Sequence, residues 1–490
     1  MGTSLSSINN SRHINIPIPQ NLPTNSLQSQ SFFSPGSSSN QPSFPCKHIQ
    51  RYLDIDGWCK KCTMKSVNTG LRDLDKLIRR TQSKSTSWTD PFLEWIPFDN
   101  FRDIHKIGEG GFGVVYRATW IQGRRKNKLE GKKGRNNKMQ EHMRTSPIKV
   151  TLKCIKNSQE ISDEYLKRLK IYYKSSLIQS RKRMQQLLKF YGISLDPSTG
   201  EYILVTEYAE HGSLHLLLHR HFSSFRWTEK IWWLCDIISN LLTLHKAGIV
   251  HGNIHSGNVL QIGDLARETT SALSDTGLNY PASSSFHDAE NFITNVYGVL
   301  PYLAPEVILG KGASKRSDIY SIGILMFEIL TGIPPFSHRP HDDKLALEIC
   351  QGLRPELAEG TPKVYGELAK HCCCADPSMR PTAKQLLYIF NHWWSLMNMD
   401  DSEVYQIRNS FLSADKLIDV IEEKRIMAVK SEAAIYTSRL LQFQNVLDRR
   451  NISNYSTNGS TTNYESINES INSSQFLLLD LNLPDITIDL

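Results

Sequence analysis

The sequence lacks any long apolar run. No stretch within its 490 residues approaches the roughly 18 consecutive apolar residues that are needed to cross a bilayer. Its start also lacks a basic stretch followed by an apolar one, so we expect no secretory signal. Cysteine is scarce, and the nine cysteines are too unevenly scattered to suggest a disulfide framework. These absences predict a reducing compartment, the cytoplasm first and the nucleus as the alternative.

Acidic residues are nearly missing from residues 124–144, which hold nine Lys and Arg but two Glu and so carry most of the net charge of +8. No aromatic residues are interleaved there, which disfavours recognition of nucleic-acid bases. The stretch is a solvated insertion, a nuclear address or a membrane-binding signal. The last option arises because Met1-Gly2-Thr-Ser-Leu-Ser6 fits the N-myristoylation pattern, and Gly2 acylation needs a second signal for stable membrane association.

Composition and periodicity divide the chain into five segments. Ser- and Asn-rich composition marks both ends, while a β-rich stretch with one helix (101–210) and a mostly helical stretch (212–396) form the main folded domain. Residues 70–90 are also compatible with a helix. The predicted order is a disordered tail (1–45), a Cys/His motif and linker (46–92), the main domain (93–396, with the basic insertion at 121–147), a C-terminal helical extension (397–447) and a low-complexity tail (448–490).

A glycine-rich stretch, Gly108-Glu-Gly110-Gly-Phe-Gly113, lies between two predicted strands. Glycines at this spacing let backbone N–H groups approach phosphate oxygens without a Cβ in the way. Dinucleotide-binding turns share the spacing, but they open a helix, whereas residues 114–120 are β-branched and aromatic. A strand, a glycine loop and a second strand resemble the nucleotide-binding loop of protein kinases.

Further motifs follow in the order found in protein kinases. Lys153 ends a strand-like stretch that resembles Val-Ala-Ile-Lys, and the stretch from His251 to Asn258 is similar to the catalytic loop that begins His-Arg-Asp-Leu. Asp275-Thr-Gly resembles Asp-Phe-Gly and follows a predicted β-hairpin. The rival Asp264 comes too soon after the catalytic loop to leave room for two strands.

The helical half carries three more matching motifs, at Ala304-Pro-Glu306, Asp318 and Arg380. Within the kinases, the chain resembles the tyrosine-kinase-like group in a form expanded in mycorrhizal fungi, through residues 93–98, 208–214 and 434–443. The resemblance implies an α+β bilobal kinase fold, with an antiparallel β-sheet lobe and a mainly helical lobe, that binds ATP and Mg²⁺. It assigns ATP to Gly108, Gly110, Gly113, Val115, Lys153, Glu207 and Ala209, and Mg²⁺ to Asn258 and Asp275.

The chain departs from the family at four positions. Asn253 replaces the catalytic Asp, and a carboxamide cannot supply the general base catalysis that is worth about 10²- to 10⁴-fold. Gly252 replaces the Arg that pairs with a phosphorylated activation segment. Arg168 stands where a helix Glu normally pairs with the phosphate-binding lysine, with Glu164 one turn earlier as a substitute. Thr276 replaces an apolar residue.

These losses predict a pseudokinase that binds ATP, transfers phosphate poorly or not at all, and acts as a scaffold or allosteric partner of other kinases or signalling proteins. One alternative is an active kinase for Ser/Thr or Tyr, since phosphoryl transfer depends mostly on positioning and electrostatics. The other is an adaptor that binds no nucleotide and acts through its tails.

A separate candidate site lies before the main domain. Cys46, His48, Cys59 and Cys62 could hold Zn²⁺ tetrahedrally, and Trp58 adjoins the second cysteine pair. The first half, Cys-x-His, is unusually tight for a zinc site. The alternative is a set of free thiols in a flexible stretch.

Overall fold

The computed structural model of the protein describes residues 67–85, 92–110, 113–125, 144–159, 161–177, 188–263, 269–276, 295–398 and 405–443. The predicted terminal tails, Gly2, the four candidate zinc ligands and the interior of the basic stretch lie outside these ranges. The predictions made for them stay predictions.

A six-stranded sheet forms the first lobe, in the strand order β1-β5-β6-β4-β3-β2. Only β1 runs parallel to its neighbour, and the other pairs are antiparallel. The strands are rich in β-branched and aromatic residues, which suit a half-buried pleated surface. Their bounds are β1 (Glu94–Trp95), β2 (Phe101–Gly110), β3 (Gly113–Trp120), β4 (Ile148–Ile155), β5 (Phe190–Leu195) and β6 (Tyr202–Glu207).

In the described part of this lobe, two helices accompany the sheet: α1 (Arg72–Lys84) and α2 (Asp163–Leu177). Leu74 and Ile78 of α1 are fully buried in one cluster with Leu169 of α2. The segment predicted as a linker therefore contributes a helix to the core of the lobe. The prediction of a β-rich stretch with one helix over 101–210 is confirmed.

The second lobe is mostly helical, as predicted for residues 212–396. Its central helix α6 is buried throughout from Ser317 to Leu330, as expected of a helix at the centre of a core. Reciprocal hydrogen bonds between Ser314 and Ser317 cap its start, and Gly332 in the left-handed conformation ends it. The helices are α3 (Leu214–His221), α4 (Trp227–Lys246), α5 (Pro305–Ile308), α6 (Lys315–Thr331), α7 (Asp343–Cys350), α8 (Lys363–Cys372) and α9 (Ala383–Met397).

Across the described ranges, no helix is long and apolar enough to cross a membrane. A β-hairpin of β7 (Val259–Ile262) and β8 (Thr270–Leu273) follows the catalytic loop, with Val259 opposite Leu273. This confirms the hairpin predicted between the catalytic loop and Asp275.

The C-terminal extension is helical only as far as Met427. It forms α10 (Tyr405–Asp415) and α11 (Ile418–Met427), and residues 428–443 then leave the helical conformation. The strand β10 (Arg439–Gln442) at its end pairs antiparallel with β9 (Asn295–Gly298), which lies between Asp275 and the Ala304-Pro-Glu306 motif. The pairing supplies backbone hydrogen bonds that a helix would otherwise have provided.

Candidate active site

The glycine stretch joins β2 to β3 at the edge of the sheet. A Cβ at Gly113 would lie 1.7 Å from the carbonyl oxygen of Cys154 on β4, so only glycine at this position allows β3 to pair with β4. A Cβ at Gly108 or Gly110 would meet no atom within 4 Å. These two glycines therefore border open space, where a phosphate could approach the backbone closely.

Lys153 lies on β4, opposite Val115 of β3 and Leu204 of β6. Its Nζ forms an ion pair with a carboxylate oxygen of Asp275, which follows β8. Both side chains are about one-fifth exposed, at 19% and 21%. Asp275 adopts the left-handed conformation, with φ at 60°, which a non-glycine residue keeps only where its surroundings hold it. The structure thus brings together a cation and a carboxylate that remain open to a ligand.

The helix α2 carries the two positions considered as partners of Lys153. Both Glu164 and Arg168 lie within Asp163–Leu177. Their side chains are outside the described part of the structure. Whether either one pairs with Lys153 therefore stays a prediction.

Hydrogen bonds to side chains and carbonyls hold the backbone of the catalytic loop in place. The backbone N–H groups of His251 and Gly252 donate to the Asp318 carboxylate at 2.9 and 2.8 Å. Gly252 has a φ of 74°, a conformation that glycine adopts without strain. Asn258 Nδ2 donates to the Asn253 carbonyl at 3.0 Å, and the Ser274 N–H donates to the Asn258 carbonyl at 2.9 Å. Asn258 is therefore held next to the residue that precedes Asp275.

Asn253 stands at the position of the catalytic base and is buried, at 5% exposure. Its Nδ2 donates to the hydroxyl oxygen of Ser438 at 3.0 Å, and its Oδ1 lies 3.3 Å from the same oxygen. His255 Nε2 lies 3.1 Å from that hydroxyl. Burial lowers the pKa of His255 to about 3, outweighing the attraction of Asp275, so the imidazole is neutral near pH 7. A serine from the C-terminal extension thus occupies the centre of the site.

Beneath the loop, a buried carboxylate, Glu328, gathers several polar side chains. The Tyr302 hydroxyl hydrogen-bonds one of its oxygens, and the Ser256 hydroxyl donates to the other at 2.8 Å. His215 Nδ1 lies 3.3 Å from Glu328, and this hydrogen bond raises the pKa of His215. The network ties the catalytic loop to α6.

Glu306 and Arg380 form a buried bidentate ion pair. The guanidinium donates to the two carboxylate oxygens at 2.6 and 2.8 Å, and Arg380 is 1% exposed. Arg380 also donates to the carbonyls of Cys374 and Arg316 at 2.9 Å each. This pair fastens the end of the activation segment to the helical lobe.

The expected hinge residues lie where β6 leads into the helical lobe. The Glu207 side chain pairs with Lys189 at 2.6 Å, so its backbone is the part that could face a nucleotide. Ala209 is buried, and its carbonyl accepts from the Gly212 N–H at 3.1 Å. Thr206, just before the hinge, is buried at 7% exposure.

Sequence reasoning missed two residues of this site, His255 and Ser438. His255 falls inside the catalytic-loop motif, so its place two residues after Asn253 was a usable signal. Ser438 gave no local signal, because it lies 185 residues from Asn253 along the chain.

The described residues fit a magnesium nucleotide. Open space borders Gly108 and Gly110 on β2, Lys153 lies on β4 of the same sheet, and Asn258 and Asp275 supply the oxygens that Mg²⁺ prefers. Among the residues in the described ranges, no group of three or more His, Cys, Asp or Glu is placed to hold a metal ion. The candidate zinc ligands lie outside these ranges.

The model of one protein family, "Protein tyrosine and serine/threonine kinase", matches residues 101–390. This is more than half of the chain, and it includes the glycine loop, the catalytic loop and the Glu306–Arg380 pair. The chain belongs to the protein kinase family. That family uses ATP with Mg²⁺.

Curated relatives are similar over the same part of the chain. A Dictyostelium discoideum protein named "Probable serine/threonine-protein kinase pats1" is 29% identical over 59% of this chain and 8% of its own length. The Bos taurus "Mitogen-activated protein kinase kinase kinase 7" is 26% identical over 61% of this chain and 45% of its own. The Dictyostelium discoideum "Cyclic GMP-binding protein C" is 26% identical over 60% of this chain and 11% of its own length. The chain thus spans less than half the length of these relatives.

Proposed function

We propose that the protein is a pseudokinase of the tyrosine-kinase-like group, in the form expanded in mycorrhizal fungi. It binds ATP with Mg²⁺ in the cytoplasm, transfers phosphate poorly or not at all, and acts as a scaffold or allosteric regulator of other kinases or signalling proteins. The observation that carries this proposal is the carboxamide of Asn253 at the position of the catalytic base.

The chemistry of a carboxamide explains the expected loss of transfer. The Asn253 amide nitrogen is a donor and has no basic lone pair, and its oxygen is a far weaker base than a carboxylate. The acceptor hydroxyl of a substrate would therefore keep its proton as the new bond forms. Loss of general base catalysis costs about 3–5 kcal/mol of barrier, or about 10²- to 10⁴-fold in rate.

The nucleotide side retains the groups that hold phosphate. Gly108, Gly110 and Gly113 would line the phosphates, Lys153 would balance their charge, and Asn258 with Asp275 would hold the metal. Bound Mg²⁺ bridges phosphate oxygens and neutralises their charge. The Lys153–Asp275 ion pair supports this role, because it holds a cation next to a carboxylate and leaves both side chains partly exposed.

An active kinase is the second candidate, and the contacts among the expected positioning groups favour it. The Lys153–Asp275 ion pair and the hydrogen bond from Asn258 to the Asn253 carbonyl hold groups of the kind on which phosphoryl transfer mostly depends. The names of two relatives also contain the word kinase.

Transfer of label from γ-labelled ATP by the full-length chain tests the proposal. Mg²⁺ and Mn²⁺ are both supplied, with autophosphorylation and a mixed peptide pool as acceptors and Lys153→Met as the control. We expect the wild type to transfer no more label than this control. The double variant Asn253→Asp with Arg168→Glu should transfer measurably more.

Label transfer by the wild type that Lys153→Met abolishes would make the protein an enzyme and overturn the proposal. Nucleotide-dependent thermal stabilisation, measured on the same samples, separates both candidates from an adaptor that binds no nucleotide. An adaptor would melt at the same temperature with and without ATP.

A further inference from the structure

The residues after α11 make a turn at 432–433 and then run against the helical lobe, along a path that ends beside the catalytic loop. The Ser431 N–H donates to the Ser337 carbonyl at 2.8 Å, and the His341 N–H donates to the Ala433 carbonyl at 3.1 Å. Further along, an Arg439 guanidinium nitrogen donates to the His341 carbonyl at 2.7 Å. We call residues 431–443 the docked segment, because backbone and side-chain hydrogen bonds hold it along its length.

An aromatic side chain anchors the middle of the docked segment. The Tyr436 hydroxyl donates to the Pro335 carbonyl at 2.8 Å. Its ring meets the His341 ring edge-on, with centroids 4.9 Å apart, and lies 6.0 Å from the His215 ring. Contacts of this kind fix both the position and the direction of the segment.

The end of the docked segment is a strand on the activation segment. Residues Arg439 to Gln442 of β10 pair antiparallel with Gly298 to Asn295 of β9. Leu441 and Phe443 are 8% and 2% exposed and belong to the core cluster of the helical lobe. Burial of these two side chains stabilises the pairing, since backbone pairing of so short a strand is weak by itself.

Ser438, just before β10, is the residue that reaches the centre of the site. Its hydroxyl is within hydrogen-bond distance of Asn253 Nδ2 and His255 Nε2, at 3.0 and 3.1 Å. A hydroxyl that contacts the base position of a kinase fold is placed as a phosphate acceptor would be. The strand pairing and the serine therefore combine two features expected of a bound substrate.

We propose that β9, the catalytic loop and residues 335–341 form a binding groove for an extended hydroxyl-bearing polypeptide, and that the docked segment is its resident occupant. Ser438 stands in for the acceptor residue. The edge of β9 that β10 occupies can pair with one strand at a time, so another polypeptide pairs there only when the docked segment leaves. This inference rests on the kinase fold and does not depend on how well phosphate is transferred.

Covalent linkage makes the docked segment a strong competitor. A tethered segment acts at an effective concentration in the millimolar range, so a free peptide of the same sequence should bind the wild type weakly. Loosening the tethered copy should expose the groove to the free one. The probe is a fluorescein-labelled synthetic peptide of residues 431–443, with a scrambled peptide of the same composition as control.

The first test is fluorescence anisotropy with the full-length chain and the double variant Tyr436→Ala with Leu441→Ala. We expect the variant to bind the peptide at least about tenfold more tightly than the wild type, because its own segment competes less. The matched control is Tyr388→Ala with Leu412→Ala, which removes the same side-chain types from positions that are 40% and 41% exposed elsewhere on the helical lobe and its extension. This control should bind as weakly as the wild type.

The second test does not depend on the folding of a destabilised variant. Leu440 and Tyr297 are directly opposite in the register of β10 and β9. Opposed residues in antiparallel strands are about 5 Å apart at Cα, a separation that a disulfide spans. In the full-length variant Leu440→Cys with Tyr297→Cys, oxidation should lock the docked segment, and mass spectrometry should identify the cross-link. The two single-cysteine variants control for the native thiols.

Three results would support the proposal: tighter peptide binding by the loosened variant, no detectable binding by the oxidised lock, and binding by the reduced lock at least equal to that of the wild type. Failure of the cross-link to form would overturn it, as would equal peptide binding by oxidised and reduced protein. Absence of binding to every form would also overturn it. No phosphate transfer is measured, so these outcomes are independent of whether the protein proves to be an enzyme.

Discussion

The candidate site has two parts: a proposed nucleotide side and a proposed acceptor side. On the proposed nucleotide side, the glycines, Lys153 and Asp275 are the residues expected of a kinase, and the Lys153–Asp275 pair remains partly exposed. On the proposed acceptor side, Asn253 stands where a catalytic base is expected, and Ser438 of the chain itself contacts it. One side is open to a ligand, and the other is already occupied.

This difference indicates that binding a nucleotide and positioning an acceptor hydroxyl require different groups of residues. Phosphate needs close backbone approach and positive charge, which glycine and lysine supply. Phosphate transfer needs a base and an acceptor hydroxyl. In this chain, the hydroxyl of Ser438 takes the position proposed for the acceptor. A chain that keeps the first set alone is suited to respond to nucleotide by changing shape or affinity.

The largest expected effect is on the free energy of unfolding, and it comes from the Glu306–Arg380 ion pair that fastens the end of the activation segment. Arg380→Ala should lower the free energy of unfolding by about 3–5 kcal/mol, because it leaves the Glu306 carboxylate buried without its partner. Urea unfolding measures this loss. Arg339→Ala, which breaks a partly exposed pair with Glu348, should cost about 1 kcal/mol or less. Equal losses for the two variants would contradict the anchoring role of Arg380.

The next effect isolates the nucleotide side. MgATP at about 100 times its dissociation constant should stabilise the wild type by about 2.7 kcal/mol, and Lys153→Met should lose most of this. Thermal unfolding with and without MgATP measures both. Lys156→Met, which alters an exposed lysine paired with Glu109, should keep the stabilisation. Equal stabilisation of the two variants would mean that Lys153 does not contact the nucleotide.

The pH dependence of stability reports on the acceptor side. Burial holds the pKa of His255 near 3, against 6.5 for a free histidine, so the unfolded chain binds the additional proton between these values. Stability should therefore fall as pH falls from about 6.5, and this residue should contribute about 1.4 kcal/mol per pH unit. Asp275 opposes the shift, while the nearby His251, His215 and Lys153 add to it.

His255→Gln should remove that contribution, seen as a shallower slope of unfolding free energy between pH 6 and pH 4.5 in urea titrations. An unchanged slope in His255→Gln would show that this imidazole is not buried in solution.

The smallest expected effect concerns the contact that joins the docked segment to the catalytic loop. Ser438→Ala should cost about 1 kcal/mol, because Asn253 and His255 both lose a hydrogen-bond partner. Ser438→Ala should leave the nucleotide-dependent stabilisation unchanged, which would show that this contact does not affect nucleotide binding. The exposed Ser83 on α1 is a control that should cost close to nothing when changed to Ala. Loss of nucleotide binding in Ser438→Ala would show that the two sides are coupled.

Local patterns were enough to predict much of the fold. The β-branched residues after the glycines predicted β3, and the spacing from Asn258 to Asp275 left room for the β7–β8 hairpin, which the structure contains. The helix α1 was also visible in its apolar spacing, but its burial against α2 was not. Periodicity gives the face of an element, and it does not say which other element covers that face.

The acceptor side shows the same limit more strongly. Asn253 could be named from the sequence, because its neighbours His251 and Asn258 identify the motif. Its partner Ser438 could not, since a serine in an extended stretch carries no signal of its own. The strand that positions Ser438 forms only because β9 offers an edge to pair with.

The sequence by itself determined the order of the motifs, and it predicted which residues would bind phosphate and that an asparagine stands where the base is expected. These depend on residue identity and on short spacings, which local chemistry controls. Only the tertiary structure decided that Lys153 meets Asp275, that α1 joins the first lobe and that the C-terminal segment fills the acceptor side. Contacts between residues far apart in the chain depend on which buried surfaces and strand edges come together, and only the folded chain as a whole determines that.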